Sequence, residues 1–426
     1  MANHSRRAVL TGFGVLSPIG SGPAAFWDSL LAGRSGIRPV SIFDASALPC
    51  RIAGEITDFN AKALIEKSYR KSLNAMSRMV QLGVVASQLA MQELGLKKGD
   101  LAPDRFGVEF AAVMGATEID DFPTASRHAA TADPRVIDMV AWGAKSIPDI
   151  PPMWMLKYLP NMPACHASIL YDARGPSNTQ INGEVAGLLA FGEAYRILQR
   201  GAADVMLVGG TDSRVNPLSL SRFNKFAPLS RRNDDPTRAL RPFDRDRDGM
   251  VLGEAAVVFG LEDLGHARKR GAEVLAELAG FASGADPRRT GAGFAKVVRN
   301  ALADAGVQPA EVDHVNAHGS GVGPLDVFEA KAISEVFGPN VPVFAPASYF
   351  GSTGAAVGVA ETAASVLALH HGTLPGTLNH ERPDPACPVA VHTGPPRDVR
   401  KRYAVKVAYT DLGHCAAVVL KKWEGE

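Results

Sequence analysis

Strand-like and helix-like runs alternate along this chain, and the alternation begins again past its midpoint. Arg7 to Val15 reads as a strand, Ala24 to Ala32 as a helix, Ser77 to Leu94 as a long helix and Arg105 to Met114 as a strand. This is the βαβ rhythm of an α/β protein. After an irregular segment, 116–165, the order resumes with a helix over Val185 to Gln199, a buried strand over Ala203 to Val208 and another over Met250 to Leu261. A third set follows: helix Ala292 to Ala305, strand Asp313 to Ala317, helix Leu325 to Phe337, strand Val341 to Phe344, helix Thr353 to His371, then strands Val405 to Val407 and Ala416 to Leu420. The chain therefore divides into two related halves, 1–260 and 261–426. No low-complexity linker separates them, so they are expected to share one interface.

A chain of 426 residues that is 46% apolar has enough material for large cores and is not a disordered protein. Its 45 basic and 44 acidic side chains nearly cancel, which leaves no field to attract nucleic acid or an anionic membrane. The four cysteines, Cys50, Cys165, Cys387 and Cys415, are far apart and make no CxxC, against a disulfide scaffold or a zinc site. A reducing cytoplasm is the expected location. If the protein is a thiol enzyme, one of these four must be the nucleophile.

Arg6-Arg7 before an apolar run imitates a twin-arginine export signal, but Gly12, Gly14 and Pro18 break the run too early. The most membrane-like stretch, Thr353 to Leu369, carries Glu361 mid-way and reads as a buried helix, so no membrane insertion is expected. Segment 116–165 holds Trp142, Trp154 and a run of prolines without a clean period. It is expected to cap one face; a partner contact or acyl channel is the alternative.

Several motifs stop short of completion. Asp244-Arg-Asp246-Arg-Asp248-Gly249 approaches a calcium loop, but Ala255 stands where the bidentate carboxylate belongs. Gly12-Phe-Gly14 and Gly209-Gly210 do not complete a nucleotide-binding pattern and fit close packing. Asn316-Ala-His318-Gly319-Ser320 closes an apolar strand, which places an imidazole at the carboxyl end of a sheet, where α/β folds keep their chemistry. The turn Gly175-Pro-Ser177 leads to Asn182-Gly183-Glu184, with Glu184 at the amino end of a helix, a position suited to an anion or a nucleophile.

Arg6 to Gly20, Phe26-Trp-Asp-Ser-Leu-Leu-Ala-Gly-Arg-Ser-Gly-Ile37, Arg51-Ile-Ala-Gly-Glu55, Arg241 to Glu254 and Asn316 to Glu329 together resemble the type II β-ketoacyl-[acyl-carrier-protein] synthases, over nearly the whole chain. The resemblance implies a thiolase-like fold, with two βαβ halves in five layers (αβαβα), and a homodimer or a heterodimer with an active ketosynthase. It implies acyl carrier protein as a partner and its phosphopantetheine arm as the substrate carrier, with no cofactor or metal of the protein's own.

The family's Cys-His-His triad and lysine are carried over only in part. Glu184 takes the nucleophilic cysteine's position, while His318 matches the first histidine. In Ala345-Pro-Ala347-Ser-Tyr-Phe-Gly-Ser352, Ala347 takes the lysine's place and Ser352 the second histidine's, and Gly358 and Glu361 keep the register. Asp411, in Thr410-Asp-Leu-Gly-His414-Cys415, replaces the gating phenylalanine. The resemblance thus assigns Asp411, His414, Ser320 and Glu361 to the substrate pocket. Thiolate attack needs a sulfur that ionises easily, so autonomous Claisen condensation is not expected.

Asn182-Gly-Glu-Val-Ala-Gly-Leu188 is similar to the corresponding turn of chain-length factors, subunits without the cysteine that pair with an active ketosynthase. One reading is such a partner, with Glu184 and His318 as an ion pair filling the vacant site. Another is a repurposed enzyme in which Glu184 and His318 act as an acid–base pair on carrier-bound acyl chains. A conventional 3-oxoacyl-carrier-protein synthase is the third.

Overall fold

The computed structural model describes residues 6–115 and 118–425. Residues 1–5, which open the arginine-containing start, and 116–117, which open the irregular segment, lie outside the described residues.

The first half supplies strands β1 (Ala8–Ser17), β2 (Phe106–Ala111), β3 (Ser177–Gln180), β4 (Val205–Ser213) and β5 (Glu254–Asp263). Its helices are α1 (Pro23–Leu31), α2 (Arg78–Glu93), α3 (Met162–Tyr171), α4 (Ala186–Gln199) and α5 (Pro217–Phe226). The second half supplies β6 (Ala276–Ala285), β7 (Val312–Asn316), β8 (Pro342–Phe344), β9 (Tyr403–Tyr409) and β10 (His414–Lys422). Its helices are α6 (Ala292–Ala305), α7 (Gly323–Phe337) and α8 (Val357–His371).

The strands run in the order β1-β5-β4-β2-β3 in the first half and β6-β10-β9-β7-β8 in the second, so each half places its own strands first, fifth, fourth, second, third. The directions also correspond. β2 is parallel to β4 and β3 as β7 is to β9 and β8, and β5 and β10 run antiparallel to both their neighbours. The two first strands join the sheets through a short antiparallel pairing of Ala8–Leu10 with Ala276–Leu278.

Strands covered on both faces need apolar residues at every position, and β1 is buried along its whole length. Along β5, Ala255, Val257, Phe259 and Leu261 face a central core while Ala256 and Val258 face an outer one. β10 repeats this, with Ala416, Val418 and Leu420 central and Ala417 and Val419 outer. Helices α4 and α8 pack together between the sheets, α2 and α3 cover the first sheet, and α6 and α7 cover the second. The layers are therefore helix, sheet, helix, sheet, helix, the arrangement expected of the thiolase-like α/β class. Gly14 is required by this packing, because a Cβ there would lie 2.2 Å from the Ala86 carbonyl oxygen in α2.

Some boundaries differ from the sequence reading. A division after residue 260 falls inside β5, which continues to Asp263; the connection between the sheets lies in 264–275. The sequence reading did not identify β6, α3 or α5. β6 alternates small residues with Gly280 and Gly284, which weakens its strand signal. From residue 118 the irregular segment forms short helical turns anchored by the fully buried Tyr158 and the buried Ser146. It also exposes apolar side chains, Val140 at 81% among them. Among the described residues no helix is long and apolar enough to cross a membrane. The Asp244–Gly249 loop is a structural tie: Asp244 accepts from the backbone N–H groups of Asp246, Glu381 and Arg382 and pairs with Arg241.

Candidate functional site

In the first half, β3 ends in a tight turn, Gly183–Val185, that feeds α4. Gly183 has φ 61°, a conformation that glycine adopts without strain. The turn presents Glu184, whose Oε1 accepts from Arg214 Nη2 at 2.8 Å. Arg214 follows directly on β4; its Nε lies 3.4 Å from Asp212 Oδ2 and its guanidinium 5.0 Å over the Phe223 ring of α5. Asp212 in turn accepts the Ala355 N–H at 3.2 Å. Burial pushes the Glu184 carboxyl up, but the adjacent Arg214, with a smaller contribution from His318, outweighs it and holds Glu184 below the usual glutamate range. Burial dominates at Asp212, whose carboxyl is raised.

In the second half, the backbone N–H groups of His318 and Gly319, just beyond β7, donate to the two carboxylate oxygens of Glu329 on α7, at 2.7 and 2.9 Å. The His318 Nδ1 lies 3.1 Å from Glu361 Oε1 on α8, which leaves Nε2 toward the cavity that His318 lines. Glu361 Oε2 lies 2.7 Å from Lys406 Nζ of β9, and both side chains are fully buried. Lys406 also donates to the carbonyls of Val407 and Asn316. Burial lowers the His318 imidazolium, yet Glu361 overrides it and the pKa is raised; Glu329 is pushed up to about 7, chiefly by burial.

Between the two clusters lies a cavity of about 370 Å³. Glu184, His318, Ser320, Ser352 and Asp411 all line it, together with Arg214 and Tyr409. The other three sequence candidates stand elsewhere. Ala347 packs into a hydrophobic cluster with Ile52 and Leu252. Glu361 sits behind His318, fully buried, and does not line the cavity. His414 is exposed at the start of β10, because the turn at Gly413, φ 85°, carries the chain away.

The expected Glu184–His318 ion pair is not formed. Each side chain has its own counter-ion, Arg214 for one and Glu361 for the other. None of the four cysteines lines the cavity. Cys387 and Cys415 are buried and their thiols pushed up to about 12, and burial raises Cys50 as well.

Arg214, Lys406, Glu329 and Asp212 were not singled out from sequence. For Lys406 a signal existed: a lysine inside Tyr-Ala-Val-Lys-Val-Ala-Tyr, an apolar strand, is rarely buried without a partner. Arg214 carries no such mark, since an arginine after a strand is ordinarily a solvated loop residue.

Residues 5–267 match the family described as beta-ketoacyl synthase, N-terminal domain, and residues 274–381 that described as beta-ketoacyl synthase, C-terminal domain. The 3-oxoacyl-[acyl-carrier-protein] synthase 2 of Synechocystis sp. is 34% identical over the full length of both chains, and that of Coxiella burnetii 35% over 90% of each. An oxytetracycline polyketide putative beta-ketoacyl synthase 1 from Streptomyces rimosus is 34% identical over 98% of this chain and 97% of its own. Among solved structures, the ishigamide ketosynthase/chain length factor superposes with a TM-score of 0.87 at 29% identity, covering 98% of this chain and all of that one. A type II PKS acyl-carrier protein in complex with its ketosynthase bound to the hexaketide gives 0.86 at 26%, covering 99% and 100%.

Proposed function

The chain belongs to the beta-ketoacyl synthase family, and from that premise we propose that it is a non-condensing subunit that pairs with an active ketosynthase and shapes the length of its acyl product. One observation carries this reading: the cavity beside His318 holds a carboxylate clamped by an arginine and no thiol. A carboxylate acylated by a thioester would be an activated anhydride, uphill from its reactants, so Glu184 does not take over the cysteine's covalent role. Ser352 and Ala347, at the positions of the second histidine and the lysine, supply neither an imidazole nor an ammonium for malonyl decarboxylation.

The pairing surface would include β3, which bonds to β2 on one side only, with Ile169 and Ile181 exposed nearby. The apolar side chains exposed by the irregular segment would extend it. The shared ligand of the pair is an acyl chain on the phosphopantetheine arm of an acyl carrier protein, and the protein needs no cofactor of its own.

Two measurements test the reading. The purified chain with acyl- and malonyl-carrier protein should form no 3-ketoacyl product. Co-expressed with a ketosynthase that has an intact Cys-His-His set, it should co-purify and change the product's length. Product from the chain alone, or a stable homodimer indifferent to every such ketosynthase, overturns it.

The His318–Glu361–Lys406 cluster favours a second reading, a repurposed acid–base enzyme acting on carrier-bound chains, because a buried imidazole on an ion pair is equipment for proton transfer. Activity on such chains that disappears in both Glu184→Ala and His318→Ala would select it.

A further inference from the structure

Glu184 and His318 each keep one atom open to the cavity. Glu184 Oε1 is taken by Arg214, while Oε2 accepts from no other side chain and is not among the sealed, unpartnered atoms of the described residues. His318 Nδ1 is taken by Glu361, and Nε2, likewise unsealed and without a partner, is left to the cavity. Both residues line the same space of about 370 Å³, whose other charged groups are Arg214, Arg222 and Asp411. The two carry opposite charges at one pH, and neither depends on the other for its charge. Arg214, with Asp212 behind it, keeps Glu184 ionised. Glu361, with Lys406 on its far oxygen and Glu329 nearby, keeps His318 protonated above its ordinary range.

An anionic acceptor and a cationic donor around one space fit a reaction that takes a proton at one atom and gives one at another. A double-bond migration needs only one group, which takes a proton and returns it. Removing water from a 3-hydroxyacyl thioester uses both at once, because C2 loses a proton while the departing C3 hydroxyl gains one. We propose that this chain dehydrates 3-hydroxyacyl groups carried on a pantetheine arm, Glu184 Oε2 taking the C2 proton while His318 Nε2 gives its proton to the C3 hydroxyl. The C2–H and C3–O bonds break, a C2–C3 double bond forms and water leaves. The proton held by Glu184 then returns to His318 through solvent, so no co-reactant is consumed. The activity goes beyond pairing with a ketosynthase, which concerns the outer surface, and rests only on the reading that the substrate is a carrier-bound acyl group.

The test incubates the full chain with 3-hydroxyoctanoyl-pantetheine and follows 2-octenoyl-pantetheine by mass spectrometry. The reverse reaction, 2-octenoyl-pantetheine in heavy-oxygen water, is read as label at C3. Wild type should give both products. Glu184→Gln and His318→Gln should each slow the reaction about 100-fold or more. Glu184→Asp, which keeps a charge for Arg214 but draws the carboxylate back by one methylene, should stay folded and lose about tenfold or more. The wild-type rate should fall on both sides of a pH maximum, and His318→Gln should remove the alkaline limb. No water removed or added by wild type, free acid as its sole product, or a rate unchanged in either glutamine variant overturns the proposal. Failure here is separable from failure of the subunit reading. A chain that alters a ketosynthase's product length but dehydrates nothing leaves that reading intact, whereas a dehydrating chain that pairs with no ketosynthase keeps only its own chemistry.

Discussion

Two turns hold the same place in the two halves. Gly183–Val185 follows the third strand of the first sheet and opens α4; Gly354–Ala356 follows the third strand of the second and opens α8. Both begin with a left-handed glycine, at φ 61° and 58°. In the first half the residue after that glycine is Glu184, which lines the cavity. In the second it is Ala355, whose N–H is taken by Asp212, so the second turn holds in place the carboxylate that backs Arg214. The duplicated backbone thus carries unduplicated chemistry: one turn presents a side chain and the other braces its counter-ion. Function follows the side chains placed on the repeated frame, not the frame.

The charged clusters differ as the turns do. His318, Glu361 and Lys406 are almost wholly buried, whereas the side chain of Glu184 keeps 22% of its exposure. Lys406→Met, which strands Glu361 without its ammonium, should therefore show the largest effect, a loss of about 3–5 kcal/mol in denaturant unfolding. Glu184→Gln should cost less, about 1–2 kcal/mol, because the amide oxygen can still accept from Arg214 Nη2 and Asp212 stays beside the guanidinium. Comparable losses for the two variants would break the contrast.

The glycines sharpen it next. Gly354→Ala adds a Cβ 1.8 Å from Asp212 Oδ2 to the left-handed penalty and should cost about 2–4 kcal/mol, whereas Gly183→Ala meets nothing closer than Thr410 Cγ2 at 3.5 Å and should cost about 1–2 kcal/mol. Unfolding midpoints of the two variants measure the difference. Equal destabilisation would mean that Asp212 is not braced by the second turn.

A smaller effect separates the halves by pH. His318 titrates above its ordinary value of 6.5 in the folded chain, so its stabilising contribution is complete below that value and is lost as pH rises through the raised one. Glu329, pushed up to about 7 from 4.5, acts in the same direction: the folded chain holds a proton that the unfolded chain has released, so stability falls as pH climbs between those values. Glu184, held low, contributes oppositely, since its stabilisation is present above the ordinary glutamate value and is lost on acidification. Unfolding free energies at pH 6 and 8 should fall in the wild type and fall less in His318→Gln. An unchanged slope in that variant would remove His318 from the account.

Most of the fold was legible because the repeated apolar blocks report burial directly. Arg7 to Val15 reads as a strand and Thr353 to His371 as a buried helix; the strand occupies Ala8–Ser17 and the helix Val357–His371, both buried over most of their length. Glu184, His318, Ser320, Ser352 and Asp411, which the family resemblance assigns to the site, meet at one cavity. What stayed hidden were the counter-ions. Arg214 and Lys406 come from strands that sequence order places 30 and 45 residues from Glu184 and Glu361, and only the sheet order β5-β4-β2 and β10-β9-β7 brings them to the partners they neutralise. Glu184 and His318 do not pair with each other because each has a nearer charge, Arg214 and Glu361 respectively.

The smallest expected effect bears most on function. On the proposed reading the chain does not condense, and if the want of a thiol at Glu184 were the whole reason, Glu184→Cys would restore condensation. It should not, for three reasons that lie on different elements. Arg214 would lose its principal counter-ion and remain beside Asp212, which alters the cavity wall where an acyl group must sit. Ser352 offers a hydroxyl where the decarboxylation step calls for a second imidazole. Lys406 does place an ammonium near His318, but against the far oxygen of Glu361, fully buried and off the cavity, so it tunes the imidazole and cannot reach a malonyl group. Radiolabelled malonyl-carrier protein with an acyl donor should therefore yield no 3-ketoacyl product from Glu184→Cys, even where a labelled thioester shows that the new cysteine is acylated. Product from that single variant would overturn the proposal that positions in both halves keep the chain from condensing.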